Sequence, residues 1–171
     1  MNIDNDLWRY ALTLYGQDKV EPACLQLQAA GLSINMLIFC IWLGLEGRTF
    51  EPDRLTRAGQ WRAQITGPVR GIRYQVRDCK AQAAAWEPCY VALKKAEMAC
   101  EQVEVALLCE AAFKMRAAEP GEVLILENLA RYLNGCTLDS DRQPVPALCT
   151  LLEAVLTKLP ENWMNRLGLR D

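Results

Sequence analysis

Residues 33–47, SINMLIFCIWLGLEG, leave a folded chain few options. Ile34, Met36, Leu37, Ile38, Phe39, Cys40, Ile41, Trp42, Leu43 and Leu45 are apolar, and only Asn35 and Gly44 interrupt them before Glu46. Ser33 suits the cap of a helix, and Gly47 suits its end, because glycine takes the left-handed conformation without a steric penalty. A helix apolar on every side is either a membrane span or the centre of a core. Crossing a bilayer takes roughly 20 residues, and this run offers only about 13. The pattern therefore predicts a buried central helix over 34–46, with the other helices packed round it.

Those helices follow from 3–4 spacing of apolar residues. Leu7, Tyr10, Ala11 and Leu14 predict a first helix over 5–15, capped by Asp4 or Asn5 and stopped at Gly16. Cys24, Leu27 and Ala30 predict a second over 21–30, with Pro22 in its first turn, where a missing N–H does no harm. Pro52 opens a helix carrying Leu55, Ala58, Trp61 and Ile65, which Thr66-Gly67-Pro68 should break or kink before it resumes to about Ala81. A long helix is expected over 88–117, with a short heptad-like seam of Leu93, Ala96, Cys100, Val103 and Leu107. Glu119-Pro120-Gly121 is the clearest punctuation. Helices over 122–133 and 146–158 follow, with a last short turn near Asn162. No stretch alternates as a strand does. The expected fold is all-α: one domain of about seven helices, with 1–117 as its helical core and 118–171 as a C-terminal extension packed on that core.

Several function classes are disfavoured. A chain of 171 residues with net charge −2 lacks the basic excess of a nucleic-acid binder. It contains no histidine, and so has neither the commonest general base nor the commonest metal ligand. Its eight cysteines form no Cys-x-x-Cys pair and mostly occupy apolar positions, so they are expected as reduced, packed thiols. The N-terminus has no basic stretch leading into an apolar run, so a cytoplasmic location is expected, with no membrane span and no cofactor.

The first half resembles a known group. Leu7, Trp8, Tyr15, Val20, Cys24, Leu25, Leu27, Gln28, Asn35, Leu37, Phe39, Trp42 and Leu43 fit an aromatic first helix, "V…CL.LQ" in the second and "N.L.F..WL" in the third. This looks like the pattern of a proteobacterial family of uncharacterised proteins, a domain of unknown function, over about residues 5–115. The similarity extends through KKAEMACEQVE at 94–104. It implies a bacterial, cytoplasmic, helical protein, and brings no activity, ligand or catalytic residue with it.

Two candidate sites remain. Arg70, Arg73, Arg77 and Lys80 form a basic stripe, one residue on from the apolar row Val69, Ile72, Val76 and Cys79. It is either an anion or protein-partner face, or the mate of Glu97, Glu101 and Glu104 on a helix folded back antiparallel. Trp8, Tyr15, Asn35, Phe39 and Trp42 are candidates to line an apolar pocket between helices, although aromatics at this spacing more often form plain core. Asn35 and Gln28 are expected in structural hydrogen bonds. Glu101 with Glu104, and Asp139 with Asp141, are expected as solvated surface pairs.

The expected function is a non-enzymatic cytoplasmic interaction or regulatory protein working through a charged helix face, with another protein as its partner and no nucleic acid. The alternative is a carrier or sensor of an apolar small molecule in an aromatic cavity. The sequence leaves the oligomeric state open.

Overall fold

A computed structural model describes residues 1–80, 84–136 and 145–169. The fold is all-α. Helix α1 spans Asp6–Tyr15, α2 Val20–Ala29 and α3 Ile34–Leu45. A 3-10 turn at Pro52–Leu55 leads into α4, Thr56–Trp61, a π-helical turn, Arg62–Thr66, and α5, Gly67–Lys80. A 3-10 turn at Ala84–Trp86 precedes α6, Glu87–Ala112, and then α7, Glu122–Asn134, α8, Val145–Glu153, and α9, Trp163–Arg166. Among the described residues no strand forms, and one isolated antiparallel bridge joins Arg48 to Ala117.

The caps explain the first elements. Asn5 Oδ1 accepts from the Trp8 backbone N–H at 2.9 Å, and Ser33 Oγ from that of Met36 at 3.4 Å. Beyond the Ser33 cap, α3 carries an unbroken buried run from Leu37 to Gly44. Each such Leu, Ile or Phe removed from water is worth about 1.5–3 kcal/mol, so α3 is the chief hydrophobic contributor. Helix α7 packs directly along it, close enough that a Cβ on Gly44 would meet the Ile125 backbone nitrogen at 2.7 Å. The Gly121 N–H also donates to the Gly44 carbonyl at 3.0 Å, fixing where α7 begins. Leu126, Leu129 and Leu133 of α7 and Leu148, Leu151 and Leu152 of α8 join the same core cluster as α3.

Three boundaries differ from expectation, one of them being the helix expected over 146–158, which ends at Glu153. The helix expected to run to 117 stops at Ala112, because the following backbone is engaged elsewhere. Thr49 N–H donates to the Arg116 carbonyl at 2.9 Å and Ala118 N–H to the Gly47 carbonyl at 2.8 Å. Gly47 has φ +63 and lies against Ala118, so the turn has no room for a side chain there. The break expected at 66–68 is absorbed without ending the helix. The π turn just before Pro68 widens the backbone, Gly67 N–H reaching back to the Arg62 carbonyl, and α5 continues.

Candidate functional site

Helices α5 and α6 fold back on each other as an antiparallel hairpin. Arg57 pairs with Glu110 at 3.4 Å, and Arg70 with Glu97 at 2.7 Å, so partners move in opposite directions along the two helices. Arg70 also reaches Glu101, and Arg73 hydrogen-bonds Glu97. With its amide oxygen turned inward, Gln28 of α2 accepts from Arg70 Nε at 3.2 Å. Burial pushes the Glu97 carboxyl up, but hydrogen bonds from Arg73 and Arg70 outweigh it and hold the group below the ordinary range. Glu101 goes the other way: burial raises it more than Arg70 lowers it.

The basic stripe is thus divided. Arg70 and Arg73 face α6. Arg77 is exposed, pairs with Asp78 at 3.1 Å and lies over the Tyr74 ring at 4.7 Å. The side chain of Lys80 lies outside the described residues, as do Asp139 and Asp141. The expectation of a solvated Glu101–Glu104 pair is corrected: Glu101 is half-buried under Arg70 of α5, and Glu104 is 2% exposed, sharing a groove with Ala58 and Gly59 of α4 and Arg62 of the π turn.

Beyond the clasp, the hairpin keeps an apolar flank. Val69, Ile72 and Val76 each precede an arginine of the stripe by one residue, and Ala96, Cys100 and Val103 each precede a glutamate by one. In an antiparallel pair, the same offset from the contact line puts both rows on one side of the hairpin. Ile72 is 49% exposed and Ala96 is exposed, while Val69, Val76, Leu93 and Cys100 are half-buried. Among the described residues of 62–102, none belongs to the buried core cluster.

The aromatic candidates are divided between the core and its partly exposed margin. Phe39 and Trp42 stack on each other, centroids 6.4 Å apart, and are buried in the core. Trp8, Tyr15 and Asn35 are half-buried. A groove of about 520 Å³ opens elsewhere, and none of the five lines it. Its apolar wall includes Met36, Phe50, Leu55, Leu108 and Tyr132, with Asp53, Arg62, Glu104 and Arg131 as charged members. Phe50 and Tyr132 meet edge to face at 6.3 Å. Sequence reasoning missed this groove because its wall is assembled from elements far apart in the chain, from α3 to the end of α7. Glu104 Oε2 is buried there with no hydrogen-bond partner.

Two further features bear on chemistry. Among the described residues no group of His, Cys, Asp or Glu is placed to hold a metal ion. Burial raises the thiols of Cys24, to about 11, and of Cys40, Cys100, Cys109 and Cys149, which leaves each with little thiolate. None of the described helices is long and apolar enough to cross a membrane.

No curated protein and no solved structure matches the chain. One family does: its sequence profile, described as "Protein of unknown function (DUF2390)", matches residues 6–108. That stretch runs from α1 into the buried part of α6 and includes α5 and all but the last turn of α6. The chain belongs to this family of unknown function.

Proposed function

We propose that this protein is a non-enzymatic cytoplasmic interaction or regulatory protein, which docks an amphipathic helix of a partner protein along the apolar flank of its α5–α6 hairpin. The observation that carries this is the division of labour on the hairpin. Its charges are spent between its own two helices, at Arg70, Arg73, Glu97 and Glu101, while Ile72 at 49% exposure and Ala96 face solvent beside them. A two-helix arm has no enclosed core, and a third helix laid on its apolar side supplies one. The charged-face version of this idea is weaker, since Arg70 and Arg73 are already engaged. Eight unpaired thiols support a reducing compartment, and the raised thiols argue against a cysteine nucleophile.

The test is site-specific photo-crosslinking in the native host. A photoreactive residue at Ile72 or Ala96 is expected to capture a protein absent from the same experiment at exposed Glu161. Equal labelling at all three positions would remove the flank from consideration.

A second reading, a small-molecule carrier or sensor, is favoured by the groove of about 520 Å³, a volume within the usual range for ligand sites.

A further inference from the structure

The acidic row of α6 is one cation short. Glu97 and Glu101 are met by Arg70 and Arg73, while Arg77 lies toward the other end of the hairpin from Glu104 and pairs with Asp78. Glu104, the last member of the row, is 2% exposed, lines the groove and leaves Oε2 without a hydrogen-bond partner. Glu101 is near enough to repel it. Asp53, Arg62 and Arg131 also line the groove, but Arg131 pairs with Glu127 and neither arginine makes an ion pair with Glu104. A carboxylate held out of water in this way is costly unless something donates to it. The surroundings of that oxygen select the donor. Met36, Phe50, Leu55, Leu108 and Tyr132 offer an apolar wall, and the groove is large enough for a small organic molecule.

We propose that the groove is a binding site for an organic ammonium ion, a protonated primary amine on an apolar body, whose N–H groups donate to Glu104 Oε2. The apolar body lies against Met36, Phe50 and Tyr132, and the ammonium supplies the charge that the arginine stripe does not. The site stands apart from the hairpin's apolar flank, so either proposal can fail without the other. It takes up the small-molecule reading and names its ligand class.

The probe is phenethylamine, with 2-phenylethanol as its neutral counterpart. The protein is the full chain carrying ¹³C-methyl methionine, followed by NMR at neutral pH. Phenethylamine is expected to bind with a dissociation constant of roughly 1 mM or tighter and to move the Met36 methyl signal while leaving those of Met98 and Met164 in place. The alcohol is expected to bind at least about tenfold more weakly, a gap of the size a charge-assisted contact gives. Glu104→Gln keeps the shape of the side chain and is expected to lose that preference. Should Glu104→Gln fail to fold, Gly59→Leu decides. Gly59 lines the groove, and a Cβ there meets nothing within 4 Å, so leucine fills the space without a clash and is expected to abolish binding with no loss of melting temperature. Equal binding of amine and alcohol would overturn the proposal. So would no binding up to about 10 mM, a shift that spares Met36, or unchanged binding in the variant that folds.

Discussion

Gly44 of α3 sits so close to Ile125 of α7 that a Cβ at Gly44 would stand 2.5 Å from Ile125 Cγ1 and 2.7 Å from its backbone nitrogen. The contact is backbone against helix, and neither partner can swing aside. Alanine gains about 1 kcal/mol over glycine from helix propensity, but here the clash dominates. Gly44→Ala is therefore expected to lower unfolding stability by about 2 kcal/mol in urea titration. A more stable variant would mean that α3 and α7 are further apart than described.

Asn128 makes a second link between the same layers. It is fully buried on α7; its Oδ1 accepts from the Phe50 N–H at 2.8 Å and its Nδ2 donates to the Arg48 carbonyl at 2.9 Å. The loop after α3 thus takes its hydrogen bonds from a side chain of α7. Asn128→Leu keeps the branched heavy-atom skeleton and strands both backbone groups, for an expected loss of about 2–4 kcal/mol. Thermal melting checks this, and a shift under about 2 °C would show that water reaches the loop backbone.

These two contacts also mark what the sequence made legible. Residues 33–47 announced a core helix, because an apolar run with Ser33 in front has few other uses. The clasp was legible as an alternative, since 3–4 spacing put Arg70 and Arg73 on one line and Glu97 and Glu101 on another. Asn128 was not, because an amide in a leucine-rich helix looks the same whether it meets water or a buried loop. Nor was the groove at Glu104, whose walls come from residues more than sixty positions apart. The π turn at Arg62–Thr66 escaped for a local reason: Pro68 signals a disturbance, and the sequence does not say that the backbone absorbs it one turn earlier.

Acid should loosen the hairpin before the core. Glu97 has a depressed folded value, so its contribution is present above the unfolded carboxylate value and is lost as pH falls through the folded one. Glu101 has a raised value, so its contribution is present at low pH and is lost as pH rises. On acidification Glu101 takes its proton first, at no cost to stability, and the clasp weakens only when Glu97 follows. Amide exchange across α5, corrected for intrinsic rates, is expected to slow slightly from neutral pH to about pH 5, as Glu101 takes its proton, and to accelerate below it. Glu97→Gln should open α5 already at neutral pH, by about 2 kcal/mol, and flatten the acid limb, because this pair is less enclosed than a fully buried one. An unchanged acid limb in Glu97→Gln would assign the loosening to other carboxylates.

The cysteines give a reading of the whole fold in one experiment. Cys89 is exposed near the start of α6. Cys24 is buried, with its thiol pushed up to about 11, and Cys40 is buried in the centre of α3, where burial raises its thiol well above the ordinary range. Alkylation needs both access and thiolate, so these sites should differ by orders of magnitude in rate at the same pH. Limited alkylation at about pH 8, followed by peptide mass spectrometry, is expected to label Cys89 first and to leave Cys24 and Cys40 unmodified until denaturant unfolds the core. The half-buried Cys79 and Cys100 sit on the hairpin, outside the core, and should become reactive at lower denaturant than Cys40. If all four of the deeper thiols instead appear together in one transition, the hairpin is not a separate unit of opening. The apolar flank would then be held as firmly as α3.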